Sequence, residues 1–253
     1  MNLTTLRLDF VRFFRDPSVL FFVMALPALI YLIFGGTSEY RDAPVGDTTV
    51  GALLMVNMAI YGALSATTTV ASSSAVEKMQ GWGRQLGLSG QSNREYALSK
   101  ALLGGAAAVM PVSLVYIIDA ITDGRLSAGE WIACFTITVV GAGLFASFGL
   151  MLGLLLRGDA ANAVASGSLV LLSFAGNLFT PLSGVLLTIA KFTPFYGLGV
   201  LVRYPLSGGV GMQTGSMETV PEDLTVGVIN FVVWMLIFFV GCAIAVSRDR
   251  NRE

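Results

Sequence analysis

The sequence predicts an all-α membrane protein with six transmembrane helices, an interfacial helix before the first and a non-spanning segment before the last. Three observations carry that prediction. Of the 253 residues, 55% are hydrophobic and 12% charged, against about 45–50% and about 25% in soluble domains. The apolar residues fall in six long blocks free of Asp, Glu, Lys and Arg, each close to the roughly 20 residues that cross a bilayer. With six crossings, 11 of the 15 basic residues fall on the side that holds both termini, and the positive-inside rule makes that side cytoplasmic. The same balance excludes a disordered chain, a nucleic-acid binder and an ordinary soluble enzyme.

The elements follow in order along a single transmembrane domain, residues 1–253. Residues 1–16 place Leu3, Leu6, Phe10 and Phe13 at helical spacing with Arg7, Arg12 and Arg15 among them, the pattern of a helix lying on the cytoplasmic surface. Asp16-Pro17 then opens the first span, with Pro where a helix start tolerates it. The spans are expected at 19–36, 50–71, 101–118, 131–156, 160–179 and 226–246. A secretory signal peptide would also follow three arginines. The length of the first run and the poor cleavage sequence Phe34-Gly35-Gly36-Thr37 favour a retained span. A seventh apolar stretch, 182–202, is interrupted by Lys191 and Pro194 and followed by Arg203. Counting it as a crossing would carry the three arginines of the C-terminal tail outside, so it reads as re-entrant or interfacial.

The loops leave little room for chemistry. Outside loops at 37–49 and 119–130 are too short for an extracellular domain, and the longest cytoplasmic loop is 72–100. There is no His, no Gly-Lys dipeptide and no G-x-S-x-G, which excludes a phosphate-binding loop and a hydrolase elbow. Cys134 and Cys242 sit in apolar runs and read as small buried hydrophobes rather than a disulfide or a zinc site. No catalytic residue, metal site or bound cofactor is expected in this chain.

Two spans carry polar residues on one helical face. Asn57, Tyr61, Ser65, Thr68 and Ser72 do so in the second, and Asn162, Ser166, Ser173, Asn177 and Thr180 in the fifth. Such faces avoid lipid. They serve either as interhelical hydrogen bonding or as a lining for a translocation path; Asn57, Tyr61, Ser65, Thr68, Asn162, Ser166, Ser173 and Asn177 are the candidates. Gly141, Gly143, Gly149 and Gly153 in the fourth span, and Gly104 and Gly105 in the third, read as close-packing positions within or between subunits. Ion-coupled carriers usually hold a charged side chain inside the bundle. Here the nearest is Asp119, at the outer end of the third span. That favours transport driven from outside the chain, although backbone carbonyls can also hold Na⁺.

The cytoplasmic loop carries a resemblance. Glu77-Lys78-Met79-Gln80-Gly81-Trp82-Gly83-Arg84-Gln85-Leu86, with Leu88-Ser89-Gly90, Arg94-Glu95-Tyr96 and Lys100, resembles the loop between spans two and three of type-2 ABC exporter permeases. Departures are Trp82-Gly83, where the family often has Thr-Leu, and Ser89-Gly90, where it often has Thr-Pro. Phe192-Thr193-Pro194-Phe195-Tyr196, followed by Arg203, is similar to the family's stretch before its last span.

The resemblance implies a permease subunit that pairs with a second one, the same or related. It implies two separate ATPase subunits that carry the ATP and magnesium. A helix at about 75–88 would be the coupling helix, seating in an ATPase groove through Glu77, Gly81, Trp82, Arg84 and Leu86. Residues 180–204 would be a re-entrant outer gate involving Pro181, Pro194, Tyr196 and Arg203. The implied function is export of a drug, lipid, glycan or peptide across a bacterial-type inner membrane. An ion-gradient-driven carrier and a non-transporting scaffold or assembly factor remain the alternatives.

Overall fold

The computed structural model describes residues 3–77, 93–122, 124, 126–156, 159–212 and 219–250. Among them are a short surface helix α1 (Leu3–Arg15), a broken helical segment containing α2 (Pro17–Leu20) and α3 (Leu26–Tyr31), and the long helices α4 (Val50–Glu77), α5 (Asn93–Ile121) and α6 (Ala128–Leu155). These are followed by α7 (Asp159–Ala175), α8 (Gly184–Ala190), α9 (Tyr196–Ser207) and α10 (Leu224–Arg250). Two antiparallel pairs, β1 (Pro44–Val45) with β2 (Thr48–Thr49) and β3 (Val210–Met212) with β4 (Thr219–Pro221), close the loops at the end of the bundle opposite α1.

Among the described residues, four helical stretches are long and apolar enough to cross a membrane: Val50–Glu77, Ser99–Ile121, Ala128–Leu155 and Leu224–Ala245. Phe21–Gly35 and Ala160–Ala175 are shorter apolar helices. The first of these is widened on both sides of Pro27. A proline cannot donate to the carbonyl four residues back, and turns with i→i+5 bonds flank it, Leu26 N–H reaching Phe21 O and Thr37 N–H reaching Leu32 O at 3.1 Å. The fifth expected span, 160–179, is helical only to Ala175. Gly176 closes the last turn on Leu172 O at 2.7 Å, and Asn177 takes the left-handed conformation with φ 62°. Its 17 residues reach about 26 Å.

α4 is the centre of the molecule. Of its most apolar stretch 94% is buried, against 28% for that of α10. It packs along α5 and α6 and also touches α7, α9 and the first helical segment. Glycines permit this closeness. A Cβ at Gly149 would collide with the Thr68 carbonyl, and one at Gly153 would stand 2.6 Å from that of Ser72. At Gly62, Pro111 of α5 and the Val23 carbonyl press into the space a side chain would take. Gly141 admits Leu198 of α9, while Gly143 and Gly105 face nothing within 4 Å. The close-packing reading of the fourth span thus holds within one chain for Gly141, Gly149 and Gly153.

α9 is short but buried along most of its length. It follows a tight turn after α8 and ends at Gly208, whose φ of 61° is the left-handed cap that glycine adopts without strain. Asn230 of α10 holds the turn before α9. Its amide donates to the Lys191 and Thr193 carbonyls at 2.8 and 3.0 Å, and its carbonyl accepts from Gly197 N–H at 3.0 Å. Trp234 Nε1 donates to Phe192 O at 3.1 Å. Both cysteines are free and buried.

Candidate functional site

Among the described residues, α4 contributes to three polar constellations within the apolar bundle. The first is at its C-terminal end. Glu77 accepts from Arg12 of α1 at 2.7 Å and pairs with Lys100 of α5 at 2.9 Å, and Lys100 also pairs with Asp9 at 2.9 Å. Arg12 is 76% exposed, whereas Glu77, Lys100 and Asp9 are each under 20%. Phe13 of α1 is buried alongside, with Val23, Ala66, Val70, Leu103 and Ala107. The surface helix is therefore bolted to the two helices that bracket the loop after Glu77. Its apolar side turns inward, while Arg7, Leu8, Val11, Arg12 and Arg15 face outward. Gly81, Trp82, Arg84 and Leu86 lie outside the described residues.

The second is a groove of about 500 Å³ between the first helical segment, α4 and α7, in the half of the bundle nearer α1. Asp16, Thr69, Ser73, Asn162 and Ser166 supply its polar lining, and Val19, Phe22, Val23 and Val170 its apolar one. Asn162 Oδ1 accepts from Ser72 at 2.9 Å and from Ser73 at 3.4 Å, which ties α7 to α4 at the groove wall.

The third is a buried ion pair near the other end. Arg203 of α9, only 3% exposed, donates through Nη2 and Nε to the two carboxylate oxygens of Glu222, at 2.6 and 3.1 Å. Its Nη1 donates to Asn57 Oδ1 of α4 at 3.0 Å and to the Asn177 carbonyl at 3.4 Å. Asn177 Oδ1 in turn accepts from Leu182 N–H at 2.7 Å. A cavity of about 30 Å³, close to the volume of one water molecule, is lined by Asn57, Asn177, Pro181, Arg203 and Glu222 together with Leu53, Leu54 and Met212. This fork-to-carboxylate geometry satisfies two charges that would otherwise be costly to bury.

The expected path residues thus divide. Asn57 and Asn177 converge on Arg203, and Asn162 and Ser166 line the groove. Tyr61 packs edge-on against Phe179 at 4.8 Å between ring centres. Ser65 and Thr68 are buried on α4, and Ser173 is buried with its hydroxyl donating to Leu169 O at 2.7 Å. Among the expected gate residues, Pro181 and Arg203 share the small cavity. Pro194 and Tyr196 are buried at the start of α9, Tyr196 against Ala190 and Val200.

Sequence reasoning missed Glu222, Asn230 and the tie between Glu77, Arg12 and Lys100. A weak signal existed for Glu222, a carboxylate in the loop just before the last span, at the same end of the bundle as Arg203. Asn230 was visible as an amide inside that span. Nothing in the spacing announced the α1 contacts.

No curated protein and no solved structure matches the chain. Residues 38–248, more than four-fifths of the sequence, match the family described as ABC-2 family transporter protein. That stretch runs from the loop before α4 into the last turns of α10 and contains the groove's α4 and α7 walls and the whole Arg203 network. The chain therefore belongs to the ABC-2 transporter permease family and is a membrane transport subunit.

Proposed function

We propose that this chain is the membrane-spanning half of an ATP-driven exporter, with the hydrolysis of ATP and its magnesium on two separate ATPase subunits and a second permease, identical or related, completing the pathway. The observation that carries the reading is the position of α4. It is the most buried helix, with Glu77 at one end and Asn57, bonded to Arg203, near the other. Twenty residues separate them, about 30 Å of helix. A buried, glycine-packed rod of that length transmits an axial push without bending.

The mechanism follows from the elements. All six apolar helical segments cross a bacterial-type inner membrane, the first by way of α2 and α3 and the fifth by way of α7. Both termini are cytoplasmic, and α8 with α9 forms the re-entrant gate. Closure of the ATPases displaces the connection between α4 and α5, where Glu77, Gly81, Trp82, Arg84 and Leu86 make the contact. Because Glu77 and Lys100 are bonded to α1, the surface helix and both flanking spans move as one unit. The groove lined by Asn162 and Ser166 receives a drug, lipid, glycan or peptide substrate. Movement of α4 relative to α9 at the Asn57–Arg203 bond opens the outer end past Pro181.

The test is efflux and ATPase stimulation in vesicles that contain the permease and its ATPase. Transport that persists when proton and sodium gradients are collapsed, and stops without ATP, agrees with the proposal; the converse identifies an ion-coupled carrier. If Trp82→Ala and Glu77→Ala leave assembly and transport intact, the coupling role is wrong. Cysteines at positions 57, 61, 65 and 177 that stay protected in every nucleotide state would indicate a scaffold.

A further inference from the structure

α1 buries Phe13 in the bundle, with Phe10 and Phe14 packed beside it, so the side it leaves uncovered is the opposite one. There Arg7, Val11 and Arg15 follow one another at four-residue steps, and Leu8 and Arg12 form the adjoining row, the spacing that makes side chains neighbours on a helix. The outward-facing ionisable residues of α1 are thus all basic. Its one acid, Asp9, pairs with Lys100 at 2.9 Å and is mostly buried. Arg12 holds Glu77 and is still 76% exposed, and neither Arg7 nor Arg15 makes an ion pair among the described residues. Where α1 meets the first helical segment, Leu8, Val11, Arg12, Arg15, Asp16 and Pro17 line an open recess of about 620 Å³. Asp16, its one carboxylate, accepts Val19 N–H at 3.3 Å at the helix start. Phe21 and Phe22, both exposed, follow four and five residues past Pro17, about 6–8 Å along the helix.

We propose that this recess binds the headgroup of an anionic phospholipid. Its phosphate sits against Arg12 and Arg15, Arg7 adds to the positive potential, and the acyl chains run past Phe21 and Phe22. A guanidinium donates through a planar fork that matches the oxygens of a phosphate. The depth agrees as well. The headgroup layer on each side of a bilayer is about 5–8 Å thick, the same as the step from Pro17 to the two phenylalanines. A free phosphate ion would use the arginines and leave Leu8, Val11 and the phenylalanines without a partner. The flanking sequence does not reverse the sign of the charge. Residues 78–96 hold Lys78, Arg84 and Arg94 against Glu95, residues 247–253 hold Arg248, Arg250 and Arg252 against Asp249 and Glu253, and Arg157 and Asp159 cancel. The inference rests on the chain being embedded in a membrane, and on neither the coupling role of the α4–α5 connection nor the direction of transport.

The experiment is native mass spectrometry of the full chain in detergent micelles, titrated with dioleoylphosphatidylglycerol or, as the zwitterionic control, dioleoylphosphatidylcholine. The first bound phosphatidylglycerol should outcompete phosphatidylcholine. Arg7→Gln and Arg15→Gln should each lower its affinity about threefold to fivefold, and the double variant about tenfold or more, with phosphatidylcholine binding unchanged. Both arginines are exposed and unpaired, so the unfolding temperature of the lipid-free variants should match that of the parent. Lys191→Gln removes an exposed cation at the other end of the bundle and should change nothing. Equal binding of the two lipids, or unchanged phosphatidylglycerol affinity in the double variant, would overturn the assignment. If that variant instead lost co-purification with the ATPase, the arginine face would be a protein contact. An equal loss in Lys191→Gln would reduce the effect to net charge, and displacement of the lipid by inorganic phosphate at constant ionic strength would make the site one for a free anion; either result overturns it. No ATPase takes part in the lipid measurement, so failure of the export reading leaves this result standing.

Discussion

Replacing Glu222 by alanine strands the Arg203 guanidinium. In the intact protein Arg203 makes two charge-assisted bonds to Glu222, at 2.6 and 3.1 Å, and two more to Asn57 and the Asn177 carbonyl. With Arg203 3% and Glu222 6% exposed at the side chain, neither partner can turn to water when the other is removed. Breaking such a pair by deleting one member costs about 3–5 kcal/mol, mostly because an uncompensated charge stays buried. Arg203→Met should therefore cost a similar amount. The double variant Arg203→Met/Glu222→Leu buries apolar groups of comparable size and should cost less than either single one, with a coupling energy of at least about 2 kcal/mol. The assay is reversible denaturation in mixed micelles, comparing midpoints at unchanged slope. Single variants that each cost under about 1 kcal/mol, or a double variant equal to the sum of the singles, would refute the claim that these charges are buried and mutually dependent.

Two further perturbations have defined outcomes in the same denaturation assay. Gly149→Ala places a methyl group against the Thr68 carbonyl and must part α4 from α6, at about 1–3 kcal/mol, whereas Gly143→Ala, with nothing within 4 Å, should be neutral within about 0.5 kcal/mol. Lys100→Met leaves Asp9 and Glu77 facing each other without their shared cation and should cost about 1–3 kcal/mol even in high salt. Arg12→Ala, at a 76% exposed side chain, should cost less than about 0.5 kcal/mol and lose even that when salt is added.

The long helices were legible because lipid imposes a simple code. α4, α5, α6 and α10 each show an uninterrupted apolar run, and only a helix can satisfy its backbone in such a run. α7 was overestimated because residues 176–179 carry no charge and end in Leu178 and Phe179, which prolong the apolar run. What ends it is the backbone conformation of Gly176 and Asn177, which hydropathy does not register. The polar stripes were legible as faces and not as partners. Asn57 of α4 meets an arginine 146 residues away, and Asn162 of α7 meets two serines about 90 residues away. Pairings over such separations depend on how helices are arranged, and one helix's periodicity carries no information about that. The inward turn of α1 was hidden for a related reason. A helix with phenylalanines on one side reads the same whether that side meets lipid or α5.

The placement of the charged pair has a mechanical consequence for the proposed exporter. A gate must be shut in one state and open in the other. Moving such an equilibrium from about 1:99 to 99:1 requires roughly 5.5 kcal/mol of differential free energy. Hydrophobic contacts between α9 and its neighbours change little with a small slide, since one apolar surface replaces another. The Arg203 fork is different, because a shift of about 1 Å takes its bonds from ideal to poor geometry, and the cost of a broken buried pair is of the order the switch requires. Asn57 puts α4 into that network directly. Motion delivered at Glu77 thus acts where a short displacement has the largest energetic effect, and it does so without a charged residue anywhere in the middle of the path.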